Sequence, residues 1–264
     1  MEALSFVVTK KVTMKQVFLF LLGCMPAFLI AQTNAGQVTY QETVKLNIEL
    51  PEEHKGMIQG LPSSQSFSKT LYFNETESLY KDTPEKETEG DITISQESDG
   101  MNFKMVMKRP EESFYTNSVE ARTVFAREFF GRDFLIVGAL PEYAWKLTSQ
   151  QKTILGYVCQ KATFQDSTRL VEAWFTIQIP LSFGPDAFNQ LPGLVLEVNI
   201  NNGERTILAQ EIVLGELEKG TIEVPKKGKT VTQAEFDLIE AEKMKELEQE
   251  MGGQGGGMRM IIRN

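Results

Sequence analysis

The chain of 264 residues holds one histidine, two cysteines and two tryptophans. With His54 as its sole imidazole it offers no multi-histidine zinc site and no histidine pair one helical turn apart. A phosphate loop, a dinucleotide fingerprint and a serine elbow are all missing. Neither a cofactor nor a bound metal is therefore expected. Positive charge is also in short supply, with 27 Lys and Arg against 36 Asp and Glu, a net charge of −9. An acidic chain without a basic stripe argues against nucleic acid and anionic lipid surfaces as partners. Long apolar runs are scarce. The one near the N-terminus, Val17 to Leu22, is followed by Gly23 and Pro26 and is too short for a membrane-spanning helix.

That same stretch reads as an export signal. Lys10, Lys11 and Lys15 form a basic segment, the apolar run follows, and Phe28-Leu29-Ile30-Ala31 ends in a small residue. Cleavage is expected after Ala31, with Met14 as an alternative start. Leu21-Leu22-Gly23-Cys24 also has the form of a lipoprotein box, with Cys24 as the acylated residue. The apolar residues that continue to Ala31 fit ordinary cleavage better. Loss of Lys10, Lys11, Lys15 and Glu2 leaves 24 basic and 35 acidic residues, a net charge of −11. Only Cys159 then remains, so no internal disulfide forms and packing alone holds the fold.

What the sequence has in quantity is β periodicity. From Gln37 to about Leu217 short strands rich in Val, Ile, Thr and aromatics alternate with turn signals. Val38 to Leu50 is long, and Pro51 to Ser66 is a loop. Thr70 to Asn74 and Ser78 to Asp82 suit a hairpin across Glu75-Thr76-Glu77. Ile92 to Gln96 and Met101 to Lys108 flank Ser98-Asp99-Gly100, a second hairpin signal. In Met101 to Lys108, Met101, Phe103, Met105 and Met107 share one face. After Gly220 the character changes. Val224 to Lys229 suits a linker, and Thr232 to Met251 a helix with Phe236, Ile239, Met244, Leu247 and Met251 on one stripe. Thr232 and Glu235 have capping-box spacing. Gly252 to Gly257 is a flexible spacer by composition, and Met258 to Asn264 a short apolar and basic end.

The segment Gly184 to Glu197 is the densest local signal. Gly184-Pro185 is a breaker pair. Leu191-Pro192-Gly193 fits a type II turn with Gly193 at positive φ. The following strand places Leu194, Leu196 and Val198 on one face, with Val195 and Glu197 on the other. This segment resembles the signature of the GLPGLI family, exported proteins of Bacteroidota. Tyr40-Gln41-Glu42-Thr43, Gly156 to Ala162 with Cys159, and Glu172 to Thr176 with Trp174 agree in order. Gln190 and Val195 depart from the signature's first Gly and last Ile. The resemblance covers about Gln37 to Ile212. It implies a location in the periplasm or at the outer membrane and implies a fold, and it implies no settled activity.

Candidate chemistry is sparse. His54 fits a surface position without a role. A Cys159/His54 nucleophile–base pair is conceivable, but a thiol inside a strand acts more commonly as a small buried hydrophobe. Met101, Met105 and Met107 suit soft-metal ligation or, more commonly, an irregular apolar core. Met251, Met258 and Met260 lack diagnostic spacing. Glu52-Glu53, Glu111-Glu112 and Glu75 with Glu77 supply carboxylate pairs of the kind a glycosidase needs, and nothing in the sequence selects one. Trp145 and Trp174 suit ligand stacking or core packing. Asn74-Glu75-Thr76 and Asp166-Ser167-Thr168 match short glycosylation patterns.

The expected fold is mainly β, an antiparallel curled sheet or half-open barrel similar in outline to the lipoprotein carriers, with a C-terminal helix. Residues 1–31 are the signal peptide, 32–220 the β domain, 221–251 the linker and amphipathic helix, and 252–264 the Gly-rich tail. The leading functional expectation is non-enzymatic binding of a hydrophobic small molecule or an envelope protein. Met101, Phe103, Met105, Met107, Trp174, Leu194 and Leu196 would line the cavity. Cys159, Gly184, Pro185, Leu191, Pro192 and Gly193 are motif positions. The alternatives are an assembly factor of an outer-membrane machine acting through the tail, and a hydrolase.

Overall fold

Twelve strands hydrogen-bond edge to edge in one open, curled sheet, as expected for a mainly β chain. The computed structural model describes residues 34–46, 48–49, 63–83, 92–98, 101–107, 111–251 and 259–260. The signal segment, Cys24, His54, Glu52-Glu53 and the Gly252 to Gly257 spacer lie outside the described residues.

The strands are β1 (Gly36–Lys45), β2 (Ile48–Glu49), β3 (Ser64–Phe73), β4 (Glu77–Asp82), β5 (Ile92–Ser98), β6 (Met101–Met107), β7 (Glu112–Asn117) and β8 (Arg122–Phe129). They continue with β9 (Arg132–Ala139), β10 (Lys146–Ile154), β11 (Tyr157–Gln165), β12 (Leu170–Thr176), β13 (Leu194–Ile200), β14 (Arg205–Leu214), β15 (Lys229–Val231) and β16 (Arg259–Met260). A long helix, α1, spans Gln233–Met251. The main sheet runs β10-β11-β12-β13-β14-β1-β3-β4-β7-β8-β9-β15. Two meanders are thus joined through β1, which lies between β14 and β3 and pairs antiparallel with both. Within this sheet only the last pairing, β15 beside β9, is parallel.

Several elements differ in extent from expectation. β3 starts at Ser64, inside the expected loop, because its full length pairs with β1 from Gly36↔Phe73 to Lys45↔Ser64. β10, from Lys146, is an almost wholly exposed polar edge with a register shift between Leu147 and Gln151. Polar, irregular edges of this kind discourage pairing with another chain. Lys229, the last residue of the expected linker, joins the sheet together with Thr230 and Val231. β5 and β6 form the expected hairpin, with Ile92↔Met107 through Ser98↔Met101, as a separate two-stranded sheet. The side chains of Met101, Phe103, Met105 and Met107 lie outside the described residues. The terminal Arg259–Met260 pairs antiparallel with Ile48–Glu49 of the same chain.

The two faces of the sheet are covered differently. On the inner face, Val38, Tyr40, Leu71, Phe73, Val171, Ala173, Phe175, Val195, Val198 and Ile207 belong to the main buried cluster, which also holds Leu194 and Leu196. The β12–β13 connection folds onto this face and inserts Ile179, Phe183, Phe188 and Leu191. Fully burying each such side chain stabilises the fold by about 1.5–3 kcal/mol. Further along the same face, Phe236 of α1 packs edge-on against Phe129 and Phe134 and closes a second cluster with Ile136 and Val231. The opposite face of that half carries Leu79, Tyr115, Val124 and Leu135, capped by Ile222 and Val224.

The helix starts where the sequence says. The Thr232 N–H donates to Glu235 Oε2 at 2.7 Å, and the Glu235 N–H donates to Thr232 Oγ1 at 3.3 Å. This reciprocal pair is the expected capping box. Its apolar stripe is narrower than expected: Phe236 and Ile239 pack, whereas Met244 is exposed. Among the described residues, no helix is long and apolar enough to cross a membrane.

Candidate functional site at the 184–190 crossing

The crossing before β13 is built by close approach. A Cβ on Gly184 would lie 2.2 Å from the Phe188 carbonyl oxygen, and one on Gly193 would lie 2.1 Å from that of Thr176. Leu191 accepts the Gly193 N–H at 2.8 Å, closing a three-residue γ-turn about Pro192. The expected type II turn is therefore not formed. The positive φ angles belong to Asp186 (56°) and Gln190 (67°), and Gly193 is glycine because backbone passes where its side chain would be. The connection is closed on itself by Gln190 N–H to Ser182 O at 3.3 Å and tied to β13 by Val195 N–H to Phe183 O at 3.0 Å.

Asp186 ends a ladder of charges on the inner face. Arg205 donates Nη1–H to Asp186 Oδ2 at 2.9 Å and Nε–H to Glu42 Oε1 at 2.6 Å. Glu42 accepts the Tyr80 hydroxyl at 3.2 Å and lies 3.9 Å from Lys69. Lys69 is 3.6 Å from Glu112, which is 3.6 Å from Arg127. Across β14, β1, β3, β7 and β8 the signs alternate. Glu42 and Lys69 are both buried, where an unpaired charge would be prohibitive. Burial opposes the charge of Arg205, but Asp186 and Glu42 outweigh it and hold the guanidinium's pKa above its ordinary value. Burial, and then Glu42, pushes the Tyr80 hydroxyl's pKa up.

Beside this ladder sits an aromatic cluster. The Tyr143 ring lies 5.2 Å from Trp145, 5.2 Å from Phe164 and 5.8 Å from Phe188. Trp145 donates its indole N–H to the Asn189 carbonyl at 3.0 Å. The Tyr143 hydroxyl is pushed up to about 12, first by burial and then by Asp186. Asn189 itself is 5 % exposed, and its side-chain nitrogen and oxygen have no hydrogen-bond partner. A buried amide with neither function paired is uncommon and calls for an explanation.

Of the expected cavity residues, Trp174, Leu194 and Leu196 have described side chains. Leu194 and Leu196 are fully buried in the main cluster. Trp174 packs against that cluster partly buried and pairs with Glu197 and Lys161, with the Lys152 ammonium 4.3 Å from its ring centre. Lys152 also bridges Glu197, and Lys161 bridges Glu172. Cys159 is a buried free thiol that burial pushes up to about 11, far from a nucleophile's range. Among the described residues, no group of three or more His, Cys, Asp or Glu side chains could hold a metal ion.

The sequence alone does not single out Glu42, Lys69, Tyr143, Asp186, Asn189 and Arg205 as site residues. Two signals are nonetheless present in it. Glu42 follows Val38 and Tyr40 at the inward-facing spacing of a strand, and Lys69 sits likewise between Phe67 and Leu71. A charge at a core-facing position needs a partner.

The family model for "N-glycanase peptide, N-terminal domain" matches residues 102–240. One crystal form of PNGF-II aligns with 78 % of this chain and 33 % of its own, at 17 % identity and a TM-score of 0.50. A second form gives 16 % identity and 0.49, over 78 % of this chain and 32 % of its own. An uncharacterised conserved protein from Thermus thermophilus gives 11 % identity and 0.33, over 76 % of this chain and 91 % of its own. At these identities the first match shows the fold alone, and the other two carry no argument. This chain spans about a third of the length of the PNGF-II chains. No curated protein sequence matches.

The expected membership of the GLPGLI family is thereby corrected. The matched N-glycanase region contains Leu191-Pro192-Gly193 itself. The physical reason lies in the turn: Pro192 and Gly193 are demanded by a γ-turn and a backbone contact with Thr176, so a short motif of this kind marks geometry more than ancestry.

Proposed function

This chain belongs to the N-glycanase N-terminal domain family, and from that premise we propose that it engages glycans or glycoproteins as the binding part of a glycan-hydrolysing system. The observation that carries this reading is the cluster at the crossing. Tyr143, Trp145, Phe164, Asp186, Asn189 and Arg205 all lie within the matched residues 102–240. Aromatic faces beside a carboxylate, a guanidinium and an amide are what a sugar needs, since its rings offer both apolar C–H faces and hydroxyls.

Two further points favour binding of a polar ligand here. The inner apolar face, where a hydrophobic ligand would have to sit, is filled by Ile179, Phe183, Phe188 and Leu191 of the chain itself. The carboxylates of this cluster are committed to ion pairs, Glu42 and Asp186 both to Arg205. Acid–base hydrolysis needs a carboxyl pair free to exchange protons with substrate.

The test is retention of a glycoprotein on the immobilised chain, before and after its N-glycans are removed. Retention of the glycosylated form alone, weakened at least tenfold by Trp145→Ala, is the expected result. Equal retention of both forms would overturn the reading. Mass spectrometry of the flow-through serves as the second arm: released glycan would assign catalysis to the chain itself.

A further inference from the structure

The β8–β9 hairpin turns through Phe130 and Gly131, both at positive φ (49° and 74°), as a two-residue type I′ loop between Phe129 and Arg132 requires. Glycine, asparagine and aspartate are the usual occupants of the first position, and a bulky side chain there is a steric outlier. The turn holds the Phe130 ring 55 % exposed, edge-on to Phe129 at 4.7 Å and with the Lys243 ammonium 5.7 Å from its centre. A large apolar ring is thus presented at a strained position on the surface.

Beside this knob lies a hole. An open cleft of about 240 Å³ separates the hairpin from α1, with Phe129, Phe134 and Ile239 as its apolar lining. An apolar cavity of about 150 Å³ accommodates a benzene ring, so the cleft has room for one phenyl group. Its two banks carry opposite charge. Arg132 stands on the hairpin bank, and Glu242 and Glu246 on the helix bank, all three exposed. Glu246 is held by Lys243 at 2.8 Å, whereas among the described residues Arg132 and Glu242 have no ion-pair partner. The acidic residues of the hairpin, Glu128 and Asp133, are paired with each other in register and occupy its other face.

A knob, a hole and two banks of opposite sign on one surface are self-complementary. A two-fold axis running along the cleft sets the hairpin of each copy over the helix of the other. Each Phe130 then enters the other copy's cleft, and each Arg132 meets Glu242. Leu238, 72 % exposed and one turn before Glu242, extends the apolar part of the contact. We infer that this surface is an interface between two copies of the chain. Such an isologous contact uses one patch twice and closes at two. A contact centred on one aromatic side chain falls at the small end of specific interfaces, so the dimer exchanges with monomer. The inference does not depend on the glycan reading.

Sedimentation velocity on the full chain, across about 1 to 200 µM, tests it. A reversible monomer–dimer equilibrium without larger species is expected. Phe130→Gly is expected to keep the fold, since glycine adopts the positive φ readily, and to weaken dimerisation about tenfold or more. Arg132→Glu and Glu242→Arg are each expected to weaken it about fivefold, and the double reversal to restore it to within about twofold of the unaltered chain. Both charged residues are exposed, so far-ultraviolet circular dichroism of these variants should be unchanged. A chain that stays monomeric throughout, assembly beyond two copies, a dimer indifferent to Phe130→Gly, or a double reversal no better than the single ones would each overturn the inference.

Discussion

Arg205 donates to Asp186 at 2.9 Å and so ties β14 to a crossing in which Asp186 itself sits at a φ of 56°. A non-glycine residue in that region is strained by about 1–2 kcal/mol. The ion pair offsets the strain and aims the carboxylate inward, while the other side of the guanidinium holds Glu42.

Removal of either partner should therefore be unequal in effect. Arg205→Leu leaves Glu42, whose side chain is 4 % exposed, with only Tyr80 and the more distant Lys69, and should destabilise the fold by about 3 kcal/mol. Asp186→Asn keeps the Glu42 contact and should lose about 1 kcal/mol. Urea unfolding of both variants decides the order, and an Asp186→Asn loss as large as that of Arg205→Leu would contradict it.

Gly193→Ala places a methyl 2.1 Å from the Thr176 carbonyl oxygen and should destabilise by about 3 kcal/mol, since backbone has to move. Gln190→Gly is expected to go the other way, by about 0.5 kcal/mol, because Gln190 carries the positive φ. Thermal melts of the two variants should shift in opposite directions.

Alkaline stability has a sign set by Cys159 and Tyr143. Both groups titrate higher folded than unfolded, at about 11 and about 12, chiefly because burial disfavours their charged forms. The folded chain then holds more protons than the unfolded chain above the ordinary thiol range. Their stabilising contribution is complete below the unfolded pKa values and is lost as pH rises through the folded ones. Unfolding midpoints measured between pH 8 and 11 should fall with pH, and the thiol should resist a thiol reagent at pH 8 until the chain unfolds. Rapid labelling of native protein would contradict the burial of Cys159.

Thr232→Ala removes one half of the capping box and should weaken α1 by about 1 kcal/mol. Because Phe236 sits one turn into the helix and packs on Phe129 and Phe134, the loss should appear first in amide exchange at α1 and β15. Unchanged protection there would show that Phe236 packing alone anchors the helix.

Local pattern is enough for some of this. The capping box, the hairpin across Glu75-Thr76-Glu77 and the strand from Leu194 are all readable, because each depends on residues within a few positions of one another. The γ-turn at Pro192 reads as a type II turn in the sequence because Pro-Gly serves both. The choice between them is made by Thr176, which lies 17 positions before Gly193.

Periodicity in the sequence by itself determined that the chain is mainly β, with a capped helix near its end, and where several of its turns fall. Those are short-range consequences of side-chain alternation and backbone preference. Tertiary structure alone decided that β1 lies between β14 and β3, that β13 shifts register where it passes Trp174 and Phe175, and that residues 42, 69, 112, 127, 186 and 205 meet in one ion ladder. It also decided that the side-chain amide of Asn189 is buried without a partner. A strand's pattern tells which side chains turn inward, and only the register of distant strands tells what they meet there.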